Sequence, residues 1–258
     1  MKIQEVVLKA TAGKLKWWEA AEIIGVSDRT MRRWRQQYAE HGYIGLWDYR
    51  KRRPRRPLPG MLLHIDGSEH CWFGDERRHE LIVIMDDAAS EICYAQLVEA
   101  ESTHSVMVAL REVIETRGLF CSLNSDRAGH FFVTPKAGEK VDRSRPTQAG
   151  RALQELGVRM IAACSPQARG RSERNFGTWQ GRLPQELRLR GIVDLERANE
   201  FLRNEYIGEF NRRFAVPAAQ KGTAFVRAQR KDLGWVFSAQ HERTVSNDNT
   251  VALDNRVL

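Results

Sequence analysis

Three acids in this chain sit where carboxylates could do chemistry together. Asp66 closes the short apolar run Leu62-Leu63-His64-Ile65. Asp126 follows a second run, Phe120-Cys121-Ser122-Leu123-Asn124-Ser125. Glu173 comes eight residues after Ser165-Pro166, among Arg169, Arg171 and Arg174. Carboxylates brought side by side repel one another unless a cation neutralises them. Hard oxygen donors with open coordination positions suit Mg²⁺ or Mn²⁺. Two such ions about 3.5–4 Å apart can serve both the attacking and the leaving oxygen of a phosphodiester. Each acid also has a plain structural reading: a strand-end turn for Asp66, a helix cap for Asp126, a surface helix charge for Glu173. Asp86 and Asp87 are rival acids, but their Asp-Asp-Ala setting reads as a turn. His64, His70 and Cys71 lie close together without a second ligand pair, so a zinc site is not indicated.

The elements that must carry these acids follow from the hydrophobic pattern. Residues 62–66, 80–87 and 91–98 read as three strands joined by tight turns, hence antiparallel neighbours. A helix is expected over 102–117, a fourth strand over 120–124, a helix near 146–156 and a fifth strand over 158–163. Another helix opens at 165. Three antiparallel strands, a helix and two strand–helix units are the order of a ribonuclease-H-like α/β fold, with a mixed five-stranded sheet and flanking helices. In that fold the first and fourth strands are neighbours. Asp66 and Asp126 would stand side by side, and Glu173 would reach them from a helix.

The positive charge is unevenly placed. The 258 residues carry a net +8, and the first 60 hold 14 Lys+Arg against 6 Asp+Glu, so the whole excess lies there. Residues 1–45 read as helices forming a small all-α domain. Gly25-Val26-Ser27 breaks two helical patterns, with Ser27 placed to cap the second. On that helix Met31, Trp34 and Tyr38 share one face, while Arg29, Arg32, Arg33 and Gln36 share the opposite one. Trp17, Ala20, Ala21 and Ile24 are spaced to pack against the apolar face. This is a helix-turn-helix with an arginine-loaded recognition helix suited to the major groove of double-stranded DNA. The bland alternative is a helical hairpin with a solvated basic face. Residues 46–60 read as an extended Pro/Arg linker, where Arg50, Lys51, Arg52, Arg53, Arg55 and Arg56 form a strip able to track phosphates. A merely soluble tether is the alternative. Residues 61–215 make the α/β domain, and the polar tail 216–258 is expected to be loosely ordered. No apolar run approaches the length of a membrane span or of a signal peptide core. The four isolated cysteines indicate neither a disulfide framework nor a cysteine zinc site. A reduced, cytoplasmic setting follows, without a membrane partner.

Certain blocks also resemble a known family. His64-Ile65-Asp66-Gly67-Ser68, Asn124-Ser125-Asp126-Arg127 and Ser165-Pro166-Gln167-Ala168-Arg169-Gly170-Arg171-Ser172-Glu173-Arg174 resemble the catalytic blocks of insertion-sequence transposases of the Asp-Asp-Glu integrase superfamily. Glu186-Leu187-Arg188-Leu189-Arg190-Gly191-Ile192 and Asn211-Arg212-Arg213-Phe214-Ala215-Val216-Pro217 look like the ISNCY group in particular. The resemblance covers about 1–45 and 61–220. It implies that Asp66, Asp126 and Glu173 are catalytic ligands of two Mg²⁺ or Mn²⁺ ions. It further implies strand cleavage and strand transfer on double-stranded DNA by a bacterial, nucleoid-associated protein. Arg169, Arg171 and Arg174 would steady DNA near Glu173, and assembly as at least a dimer would pair two element ends. Relatives usually carry a longer region between the helix-turn-helix and the catalytic core, so the chain resembles a shortened copy. That leaves two alternatives: a catalytically weak remnant that only binds DNA, and a nuclease of the same fold that cuts without joining.

Overall fold

A computed structural model describes residues 3–42, 54–134, 141–142, 144–163, 166–229, 232–245, 247, 250, 252–253 and 256–257. The chain divides into two compact units, Met1–Arg53 and Pro54–Leu258.

The first unit has three helices: α1 (Ile3–Thr11), α2 (Trp17–Ile24) and α3 (Asp28–His41). Val6, Val7, Ala10, Ala20, Ala21 and Met31 form its core, with Leu15, Trp17, Ile24, Val26 and Trp34 packed around them. The two alanines let α2 approach its neighbours closely. Gly25 ends α2 in the left-handed region (φ 76°), and its N–H closes back onto the Ala21 and Glu22 carbonyls. Ser27 caps α3 by accepting from the Thr30 N–H. The expected turn, cap and packing face are all present. Tyr38 is only half-buried and lies outside the core.

The second unit is built on a five-stranded sheet. Its strands are β1 (Leu63–His70), β2 (His79–Asp86), β3 (Ile92–Val98), β4 (Ser122–Ser125) and β5 (Arg159–Ala162), in the order β3-β2-β1-β4-β5. β2 is antiparallel to both β1 and β3, while β4 is parallel to both β1 and β5. This is the ribonuclease-H-like sheet. α4 (Thr103–Arg117) and α5 (Gln148–Glu155) cover one face. There Leu63, Ile65, Ile82 and Ile84 meet Val106, Leu110, Ala152 and Leu153. The alternate residues Leu81, Val83 and Met85 face the other side, toward α6 (Pro166–Leu189), α7 (Leu195–Phe201) and α8 (Ile207–Phe214). One turn of π-helix, Leu202–Tyr206, joins the last two. Trp179 of α6 is fully buried, stacked on Phe210 of α8 at 4.4 Å between ring centroids.

α7 and α8 lie beyond the elements expected from the pattern, and they close the edge strand β3 in a specific way. The Asn199 side chain accepts from the Leu97 N–H (2.7 Å) and donates to the Leu97 carbonyl (2.8 Å). Asn211 does the same at Ile92, accepting at 2.7 Å and donating at 2.9 Å. Each amide thus stands in for one residue of a missing neighbouring strand.

Two boundary expectations differ from what is observed. Residues 54–60 of the anticipated linker belong to the second unit: the Arg56 N–H donates to Asp87 and the Gly60 N–H to Asp86. The polar tail is also not loose where it leaves α8. The Ala224 N–H bonds to the Pro59 carbonyl, and Val226 exchanges both backbone bonds with Leu119. Gly60 (φ 83°) makes room for this return, since a Cβ there would lie 2.6 Å from the Phe225 nitrogen. A short helix α9 (Leu233–Val236) then buries Leu233, Val236 and Phe237 in the α4/α5 core. Three apolar residues in a mostly polar stretch supply the anchor, which average composition conceals.

Candidate active site

The two aspartates follow one stretch of paired strand. Leu63 and His64 of β1 pair with Leu123 and Asn124 of β4, in parallel. Asp66 comes two residues after His64, and Asp126 two residues after Asn124. Asp66 is 8% exposed. Asp126 is half-buried just past the end of β4, and its carboxylate accepts the Ala128 N–H at 2.9 Å, which turns the chain there.

Helix α6 lies along β1 on the side to which Asp66 and Ser68 point. Its Gln180 amide donates to the Ser68 hydroxyl at 2.9 Å. Nine residues earlier, Arg171 is ion-paired to Asp87, which also bonds His64. Nine helical residues rise about 13.5 Å, and the four strand residues from His64 to Ser68 span about 13 Å. The two attachments, nine residues and so half a turn apart around the helix, tie both flanks of α6 to this side of the sheet. Glu173, seven residues before Gln180, shares its flank of the helix and is exposed. Among the described residues, no three His, Cys, Asp or Glu side chains form a group arranged to hold a metal ion.

The arginines expected near DNA divide into different environments. Arg29, Arg32, Arg33 and Gln36 are exposed on α3. Arg174 is exposed, its Nε bonded to the Gly170 carbonyl. Arg171 turns inward to the fully buried Asp87. The Arg55 guanidinium donates to the Asp87 carbonyl and to Ser90, while Arg56 is held at its backbone. Arg50, Lys51, Arg52 and Arg53, and the Arg169 side chain, lie outside the described residues.

The two rival acids, Asp86 and Asp87, lie at the end of β2 beside the start of β1. Asp86 does make the expected turn, accepting the Ala88, Ala89 and Gly60 N–H groups. Burial nevertheless raises its pKa, more than those three bonds lower it. Its neighbour Asp87 does something else. Burial pushes its carboxyl upward, but the bond from His64, the Arg56 N–H and the charges of His64 and Arg171 outweigh this. They hold it well below the usual carboxylate range. His64 is itself buried, with Nε2 on Asp87 at 2.9 Å. The available signal was His64 standing two residues before Asp66, hence on the same strand face.

With fold and site in view, comparison with known proteins gives the class. Residues 4–57 match the family model described as a helix-turn-helix domain. Over 210 residues the chain is 36% identical to a putative transposase, y4bF, of Sinorhizobium fredii, covering 78% of this chain and 44% of that one. Over 205 residues it is 31% identical to the transposase for insertion sequence IS1202 of Streptococcus pneumoniae, covering 79% and 43%. Among solved structures, a catalytic core domain of HTLV-2 integrase in complex with magnesium aligns with 57% of this chain and 84% of that one. It does so at 16% identity and a TM-score of 0.43. The chain spans less than half the length of the curated relatives it matches. Over 78–79% of its length the chain is thus similar to insertion-sequence transposases, and it consists of a helix-turn-helix unit and a ribonuclease-H-like α/β domain.

Proposed function

We propose that the protein is a DNA transposase, a polynucleotidyl transferase that cleaves a strand at an element end and joins the freed 3′-hydroxyl to target DNA. The observation that supports this is the parallel pairing of β1, which carries Asp66, with β4, which leads into Asp126, in a chain similar to transposases. Asp66, Asp126 and Glu173 would hold two Mg²⁺ or Mn²⁺ ions. The donor set fits such ions in kind, being hard carboxylate oxygen. When bound, the ions supply charge stabilisation to the attacked phosphodiester. The chain itself does the rest. Near-burial of Asp66 keeps its carboxylate in a region poor in water, where opposite charge is felt strongly. α6 sets the level at which Glu173 is presented. Arg174 and Arg169 neutralise DNA phosphates beside it. Arg29, Arg32, Arg33 and Gln36 read double-stranded DNA in the major groove, and Arg50, Lys51, Arg52, Arg53 and Arg56 follow its backbone, while Arg55 is committed to Asp87 and Ser90. The protein works as at least a dimer on two ends, in the bacterial cytoplasm at the nucleoid.

A second reading is a DNA-binding remnant with little catalysis. Its support is that, among the described residues, no three His, Cys, Asp or Glu side chains are grouped to hold a metal ion. A cleavage and joining assay decides between them. Its substrates are duplexes from the repeats flanking the gene, with Mn²⁺ or Mg²⁺ and Asp126→Asn as control. Joined products that vanish in the variant support the transposase. Products absent from both proteins, with binding intact, leave the remnant. Nicks without joining indicate a nuclease.

A further inference from the structure

We propose that Asp87 is a positioning residue, the joint that sets α6, and with it Glu173, against the β1 strand carrying Asp66; Arg171 is an arm of this joint and not a DNA contact. This rests on the transposase reading for its catalytic meaning, though not for its structural content.

Asp87 is completely buried and gathers four stretches of chain. Its N–H donates to the Leu62 carbonyl at the start of β1 (2.9 Å). One carboxylate oxygen takes both His64 Nε2 and the Arg171 guanidinium. The other takes the Arg56 N–H at 2.8 Å. Its own carbonyl accepts from Arg55 at 3.1 Å. His64 is two residues before Asp66, and Arg171 two before Glu173. The shared oxygen therefore links the strand that bears one acid to the helix that bears the other. Gln180 on Ser68 is the second attachment, and two points are needed to fix a rod along a strand. Phe176 packs this half of α6 into the core, and Asp87 adds an ion pair at the turn that carries Glu173. An arginine committed to a buried carboxylate has spent the charge-assisted bonds a phosphate would otherwise take.

The test uses the full chain and four variants: Asp87→Asn, Arg171→Gln, Arg171→Lys, and the double variant Asp87→Asn/Arg171→Gln. Amide hydrogen exchange is read over residues 166–176 and, as a reference, over α4. Expected is faster exchange confined to 166–176 in both single variants, no further change in the double, and partial recovery in Arg171→Lys. The slope of DNA affinity against salt stays at the wild-type value in Arg171→Gln, whereas Arg174→Gln lowers it by about one. Strand transfer falls by about 10²-fold in kcat in the single variants with KM for DNA unchanged, the size expected of a misplaced group. Should Asp87→Asn fail to fold, Arg171→Gln leaves the bonds to His64 and Arg56 in place and answers alone. Unchanged exchange over 166–176, additive losses in the double variant, or a reduced salt slope in Arg171→Gln would overturn the proposal. A wild-type protein without joined products sinks the transposase reading instead, and the exchange and salt arms still decide the joint.

Discussion

Two adjacent aspartates with opposite electrostatics show how far one residue step changes chemistry. Asp86 is pushed toward its neutral form by burial, while Asp87 is held ionised. A carboxyl whose folded pKa lies below its unfolded value of about 3.9 stabilises the fold above that value. This contribution fades as the pH falls through the lower, folded value. Asp87→Asn should therefore cost about 3–5 kcal/mol near pH 7, the scale of a broken buried ion pair. The difference from wild type should shrink as the pH drops below about 4. Urea unfolding of both proteins across pH 3–7 measures this, and a gap that does not depend on pH would refute it. The pattern Asp-Asp-Ala promised a turn, and Asp86 makes it. Nothing local marks Asp87, because its partners lie 23, 31 and 84 residues away. Asp66 and Asp126, by contrast, stand out because each follows an apolar run, although β1 continues past Asp66 to His70.

At the scale of elements, the hydrophobic period revealed β1 to β5, α4, α5 and the start of α6, since each must bury one face. It did not reveal how β3 is finished. Asn199 and Asn211 lie in helices, 102 and 119 residues from the strand groups they bond. An asparagine in a helix carries no sign of that task. Asn199→Ala should leave the Leu97 N–H and carbonyl without these partners and cost about 1–3 kcal/mol, and Asn211→Ala the same at Ile92. Chemical denaturation of each variant is the check, with Asn199→Asp as a comparison that keeps only the accepting half. In the first unit, Arg32→Gln should weaken DNA binding while leaving melting unchanged, because Arg32 is exposed on α3 and away from the core.

For the whole molecule, the stretch beyond α8 matters more than its polarity suggests. Removing residues 216–258 would strip Leu233, Val236 and Phe237 from the α4/α5 core. At about 1.5–3 kcal/mol per buried side chain, that loss rivals the whole stability of a domain, about 5–15 kcal/mol. The shortened chain should aggregate or melt without cooperativity, which light scattering and calorimetry would detect. The asparagine clamps have a consequence in time as well. A ribosome adding about 5–20 residues per second finishes β3 roughly 5–20 s before Asn199, 102 residues later, leaves it. For that interval a newborn chain shows an apolar strand with an unguarded rim to every other newborn chain on the same message. Crowded translation, rather than heat, is then the condition under which this protein is most apt to be lost.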